Sequence, residues 1–179
     1  MKIAVVSYSY TGNNDRLASC VARDLSVEYI KITTQQPMTM WSILLDIIFN
    51  RTPKTFPNPE TLEQYDLILF FAPVWMGQIA SPLRPYLHAV KSNPKAYGFL
   101  SISGGADGDN PKLFAELLKR TGTKPILTLD QHIRDLIHQN TKPTRKDTSA
   151  YKISEAEAIS LSTVVIKEIN KLMRGNGIH

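Results

Sequence analysis

The chain has 179 residues, 42% hydrophobic and 21% charged, which excludes a disordered or fibrous protein and suits one domain, residues 1–179, with a sizeable core. A single cysteine, Cys20, excludes an internal disulfide and fits a reducing compartment, its thiol expected as a small packing group on a helix. The net charge of +5 admits an anionic partner, but the basic residues are scattered, and the densest group (Lys142, Arg145, Lys146) falls in an expected loop without interleaved aromatics, so no nucleic-acid contact is expected.

The apolar run Ile3, Ala4, Val5, Val6 is too short for the core of a leader, and no stretch approaches ~18 uninterrupted apolar residues. A cytoplasmic location with no transmembrane segment is therefore expected. Residues 3–8 read as a buried first strand, stopped by the polar turn of residues 9–14. Leu17, Ala18, Val21, Ala22 and Leu25 recur at helical spacing, and residues 27–32 form a short second strand. Residues 37–50 predict a helix apolar on more than one face, expected as a core helix covering the sheet. The alternatives for its segment from Met38 to Phe49 are a homodimer face, a lid or a shallow membrane contact. A proline-rich connector with Pro53, Pro57 and Pro59 follows.

Residues 66–72 are the most apolar strand, as expected of a central parallel strand covered on both faces. Ser81-Pro82 reads as a cap and first-turn proline opening a helix with Leu83, Tyr86, Leu87 and Val90 inside. Residues 96–102 are a fourth strand. Asn110-Pro111 repeats the device ahead of a helix lined by Leu113, Phe114, Leu117 and Leu118, which Gly122 stops. Residues 125–129 are a fifth strand, and Ser154 with Glu157 forms a capping box for the last helix. Strand and helix alternate throughout, which predicts an α/β, three-layer, doubly wound five-stranded parallel sheet of order 2-1-3-4-5.

In open sheets of this kind ligands bind beyond the carboxyl ends of the strands, at the switch point between the first and third. Three loops leave those ends. In the first, Ser9 and Thr11 bring hydroxyls, Asn13 and Asn14 amides, and Gly12 a close backbone approach, all at a helix start whose dipole favours an anion. It lacks the Walker and dinucleotide patterns. In the second, Pro73, Val74, Trp75, Met76 and Gly77, the indole could stack on a flat ring and the glycine let backbone reach the ring edge. In the third, Ser103, Gly104 and Gly105 lead to Asp107. The acids Asp107 and Asp109 lack calcium-loop spacing, so no metal site is expected. Asp130, His132 and His138 are expected in packed or surface roles. No side chain is assigned as acid, base or nucleophile.

Taken together, Tyr8-Ser9-Tyr10-Thr11-Gly12-Asn13-Asn14 resembles the FMN phosphate loop of the flavodoxin-like family, in which Ser/Thr-x-Thr-Gly-x-Thr is usual. Ala72-Pro73-Val74-Trp75-Met76-Gly77 resembles its ring-contacting loop, and Ser103-Gly104-Gly105 stands where its third loop would be. Flavodoxin is itself a standard illustration of the switch-point rule. The resemblance covers roughly residues 1–130 and implies FMN as cofactor. By it Ser9, Thr11, Gly12, Asn13 and Asn14 hold the phosphate and Trp75 and Gly77 border the ring; Tyr10, Pro73, Val74, Met76, Ser103, Gly104, Gly105 and Asp107 complete the expected cofactor-binding residues, and Asp107, if close, would disfavour an anionic reduced ring. Asn14 replaces the usual threonine, the third loop lacks an aromatic, and the chain is basic where electron-carrying flavodoxins are acidic. Three functions remain open at this point: electron transfer with a redox partner protein or small-molecule acceptor, an FMN-dependent NAD(P)H:quinone-type reductase, and a flavin-free interaction module of the same fold.

Overall fold

The computed structural model describes residues 1–138 and 141–175. Five parallel strands form one sheet: β1 (Ile3–Ser7), β2 (Glu28–Lys31), β3 (Leu67–Phe71), β4 (Ala96–Ser103) and β5 (Leu127–His132). Their order is β2-β1-β3-β4-β5, the expected 2-1-3-4-5. Helices α1 (Asn13–Leu25) and α6 (Glu155–Gly175) cover one face. Helices α3 (Arg84–Ser92) and α4 (Leu113–Thr121) cover the other. Two more helices, α2 (Met40–Ile48) and α5 (Arg145–Ala150), lie at the carboxyl ends of the strands, where both help line one cavity.

The double covering explains the composition of β3. All five of its residues are buried, Leu67, Leu69 and Phe71 toward α1 and α6, Ile68 and Phe70 toward α3 and α4. Side chains alternate across a strand, so a strand with core on both sides has no polar position left. Beyond Ser7 and Phe71 the chain leaves β1 and β3 in opposite directions. Tyr8 N–H still reaches Phe71 O at 2.9 Å, so the two divergent loops start from a fixed point.

Several expected boundaries move. Ser81 does not cap α3: a 3-10 turn, Ser81–Leu83, intervenes, and the Ser81 hydroxyl instead donates to Asp46 Oδ2 at 2.7 Å. Asn110 does not cap α4, which begins at Leu113, because its carboxamide donates to Asp130 Oδ2 on β5. Of the four apolar residues expected inside α4, Leu113 and Leu117 are buried while Phe114 and Leu118 are exposed. The fifth strand runs further than expected, to His132, because β4 is long enough to pair Ser103 with it. Gly122 ends α4 in the left-handed region at φ 73°, and the Ser154–Glu157 capping box is present. Burial pushes the Cys20 thiol up, consistent with a packing role.

The core-helix expectation for residues 37–50 is overturned. Only Ile43 and Asp46 of α2 are buried, and the helix lies at the carboxyl ends of the strands, beside the cavity. A short ladder of Thr33–Thr34 with Thr55–Phe56 closes the excursion that carries it.

Candidate functional site

A cavity of about 610 Å³ opens at the switch point, within the size range of small-molecule sites. The three loops contribute Tyr10, Thr11, Asn14, Pro73, Val74, Trp75, Met76, Ser103, Gly104 and Asp107 to its lining. Ser9, Gly12, Asn13, Gly77 and Gly105 stand behind or beside it and do not line it. Gly77 and Gly105, with Gly104 and Asp107, line a second cavity of about 370 Å³ that shares Val74, Met76, Ser103 and Arg145 with the first.

The first loop turns through Gly12, which caps α1 at φ 93°; a residue with a side chain would be strained there. Ser9 Oγ accepts the N–H groups of Gly12 (3.0 Å) and Asn14 (3.1 Å), so a hydroxyl occupies the place of an anion. The Thr11 side chain is exposed at the cavity and makes no hydrogen bond among the described residues. Asp15 in the first turn of α1 would oppose an anion, but Lys31 pairs with it at 2.8 Å.

The two asparagines also hold the fold together. Asn14 donates to Ile102 O (3.1 Å) and accepts from Ile102 N–H (2.9 Å), which pins α1 to the end of β4. Asn13 donates to Tyr151 O (2.9 Å) and accepts from Ile153 N–H (3.1 Å), which ties α1 to the segment entering α6. Each carboxamide thus gives one N–H and its oxygen to the fold and is a structural clasp, and Asn14 also borders the cavity.

The second loop is a hairpin. Val74–Trp75 pairs with Gln78–Ile79 around Met76 (φ 50°) and Gly77 (φ 76°). Two consecutive left-handed residues make the two-residue turn that matches strand twist, and Gly77 supplies one of them without strain. The turn holds Trp75 half-buried at the cavity, with Tyr8 and Tyr10 edge-on to the indole at 6.0 and 6.3 Å. The first loop thus supplies a second aromatic wall, Tyr10. Burial raises the Tyr8 phenol far above its ordinary value, helped by Tyr10 and Asp15, so it stays neutral.

In the third loop, Ser103 is buried and its hydroxyl has no hydrogen-bond partner among the described residues, although it borders both cavities. A buried unpaired hydroxyl at a cavity wall is a ready contact for a polar ligand edge. Gly105 is required by space: a Cβ there would lie 2.6 Å from His132 Cβ, with φ at 71°. Asp107 is not a free charge. Arg145 Nε donates to both its carboxylate oxygens at 2.7 and 2.9 Å, so the local charge at the cavity edge is close to zero. His132 is buried between Asp130 (3.3 Å) and Asp109 (3.6 Å) and reaches neither cavity.

Two walls were not foreseen. Met40, Ile43, Leu44 and Ile47 of α2 form an apolar one; the lid alternative came nearest to it. The other is α5, placed in a loop by the sequence reading. It runs from Asp107, held by Arg145, to the start of α1, where Asn13 holds Tyr151. Its signal was present in Thr144 and Asp147, which form a reciprocal capping box.

No protein-family model matches the chain, and no curated protein matches it in sequence. Solved structures do resemble it. A flavoprotein from Lactobacillus acidophilus NCFM, crystallised in complex with FMN, matches with a TM-score of 0.58 at 20% identity, over 73% of this chain and 93% of that one. Its apo form in solution matches with a TM-score of 0.56 at 17% identity, over 75% and 94%. The two-electron reduced flavodoxin of Megasphaera elsdenii matches with a TM-score of 0.50 at 14% identity, over 90% and 98%. The chain is therefore an α/β protein of flavodoxin-like fold, with a cavity at the switch point of its sheet.

Proposed function

We propose that the chain binds one FMN non-covalently in the 610 Å³ cavity and acts as a redox flavoprotein. One observation carries this reading: a single cavity combines a free hydroxyl at a helix mouth with an aromatic and apolar hall closed by an unpaired buried hydroxyl. Thr11 and the first-turn N–H groups of α1 suit the phosphate, with Ser9 Oγ standing where a phosphate oxygen would compete for the Gly12 and Asn14 N–H groups. Trp75, Tyr10 and the α2 residues Ile43, Leu44 and Ile47 suit the ring, and Ser103 Oγ offers a hydrogen bond at its polar edge. When bound, the flavin supplies the electron chemistry; the protein binds, orients and shields it. The Asp107–Arg145 pair removes the net negative charge expected near the ring, which agrees with the basic chain in arguing against the low-potential acidic shuttle.

The test is titration with FMN and riboflavin, which differ by the phosphate. Thr11→Ala is expected to weaken FMN about tenfold or more, the worth of a hydrogen bond to a charged group, and to leave riboflavin unchanged. Equal loss for both moves the phosphate elsewhere. A wild-type chain that binds neither ends the flavin reading in favour of a flavin-free interaction module.

A reductase that passes hydride from NAD(P)H to a quinone-type acceptor is a second reading. It is favoured by the adjoining 370 Å³ cavity, which offers room for a second small molecule beside the shared wall of Val74, Met76 and Ser103. Steady-state NAD(P)H oxidation with a quinone separates it from a carrier, for which no turnover is expected.

A further inference from the structure

α2 exposes what helices usually bury. Trp41 is 76% exposed, Ile48 62% and Phe49 66%. Helical spacing puts Trp41, Leu45 and Ile48 on one arc, with Phe49 next to it at the C-cap. The adjacent arc, Ile43, Leu44 and Ile47, lines the cavity. The polar residues of the helix are engaged elsewhere. Asp46 is buried and accepts from Ser81, and Ser42 closes the capping box with Thr39. Scattered exposed apolar residues need no explanation, but a contiguous set on one short helix does.

The chain segment that carries this face is mostly basic, and the Glu116–Arg120 pair, which reaches Asn50, adds one charge of each sign. Between Gln35 and Asn58 the sole carboxylate is Asp46, already buried, while Arg51 and Lys54 are the basic residues. The Arg51 side chain is 59% exposed and only loosely paired, 3.7 Å from Asp46. Lys54 Nζ lies 5.9 Å above the ring of Phe56, another exposed aromatic. The segment therefore presents exposed tryptophan, phenylalanine and isoleucine followed closely in the chain by two cations.

We propose that this face docks on the surface of an anionic lipid bilayer. Aromatic and aliphatic side chains beside cations are the pattern of helices that lie in the headgroup region. The inserted part need be no larger than the few side chains named. A second copy of the chain fits less well. A helix of nine residues is about 13.5 Å long and about 10 Å wide, a footprint far below the ~800 Å² per partner of a standard interface. The inference is independent of the flavin and is tested on the protein with or without it.

The experiment is co-sedimentation of the full chain with vesicles of phosphatidylcholine alone and of phosphatidylcholine mixed with phosphatidylglycerol. Binding is expected to the anionic vesicles only, weakened by salt, with a blue shift of tryptophan emission that Trp41→Phe reduces without releasing the protein. Trp41→Glu and Ile48→Glu are expected to abolish sedimentation while leaving the thermal midpoint unchanged, since both positions face solvent. Arg51→Gln with Lys54→Gln is expected to weaken it by about tenfold or more. Failure to sediment, equal binding to both vesicle types, or a dimer in lipid-free buffer that Trp41→Glu dissociates each overturns the proposal, the last by assigning the face to a second copy.

Discussion

The two helices that flank the cavity, α1 and α2, use opposite halves of their chemistry to stay in place. α1 buries Leu17, Ala18 and Val21 in the core and spends its two polar leaders, Asn13 and Asn14, on backbone groups of other elements. α2 is held mainly by polar contacts. Asp46 accepts from Ser81, and Arg84, 5% exposed, donates to the carbonyls of Asp46 (3.0 Å) and Arg51 (2.6 Å) and to Gln78 (3.1 Å). Its apolar residues are left for the cavity and for solvent. The difference teaches that an apolar arc fits a helix for burial but does not decide what covers it. α1 lands on a completed sheet face already shared with α6, whereas α2 follows an excursion off the edge of the sheet.

The largest effect that would break this comparison is at Arg84. Arg84→Ala removes three hydrogen bonds around a buried site, leaving Arg51 O and Gln78 Oε1 without this donor while Asp46 O keeps the Arg51 N–H, and is expected to destabilise the protein by about 3 kcal/mol in chemical denaturation. Hydrogen exchange should rise first in residues 40–51. Exchange that stays slow there would show that apolar packing, not the guanidinium, holds α2. Burial lowers the Arg84 pKa, but a guanidinium stays charged, so the anchor is insensitive to ordinary pH.

Next in size is Asn14→Ala, which strands the buried N–H and C=O of Ile102 and is expected to cost about 2 kcal/mol. Asn14→Thr should recover little of this, since one hydroxyl cannot serve both groups, although threonine is the residue usual in the resembled motif. Full stability in Asn14→Thr would remove the clasp from the account of α1.

The smallest effect sharpens the α1 side through its neighbour α6. Glu157 is held below the usual carboxylate range, first by the Tyr151 hydroxyl and then by the backbone and side chain of Ser154. A depressed folded-state value means the stabilisation is present above the ordinary carboxylate pKa and is lost as pH falls through the lowered one. Glu157→Gln is therefore expected to cost about 0.5 kcal/mol near neutrality, a small value because the group is largely solvent-screened, and nothing in acid. Thermal midpoints across pH test this; a gap that widens in acid would reverse the sign.

Much of this was legible in the residues. The unbroken apolar run of β3 required a strand covered on both faces, and Gly122 and the Ser154–Glu157 pair marked helix ends by chemistry that acts within a few residues. The three loops of the site were legible for the same reason: each follows a strand end and carries glycine or small polar residues. The cross-fold bonds of Asn13, Asn14, Ser81 and Asn110 were not legible because a short polar side chain at a helix start has the same local signature whether it caps the helix, meets a ligand or reaches across the fold. Their partners are Ile153, Ile102, Asp46 and Asp130, the closest of them 20 positions away in sequence.

The amino-acid order by itself determined the strand and helix alternation, hence the parallel sheet, its order and the place where its loops diverge, because hydrophobic period and backbone sterics are local properties. Tertiary structure alone decided which polar groups are spent and which remain. It left Thr11 and Ser103 free at the cavity, neutralised Asp107 with Arg145, and turned the apolar side of α2 outward. Those outcomes depend on hydrogen bonds and packing between distant segments, which exist only once the sheet has brought the segments together.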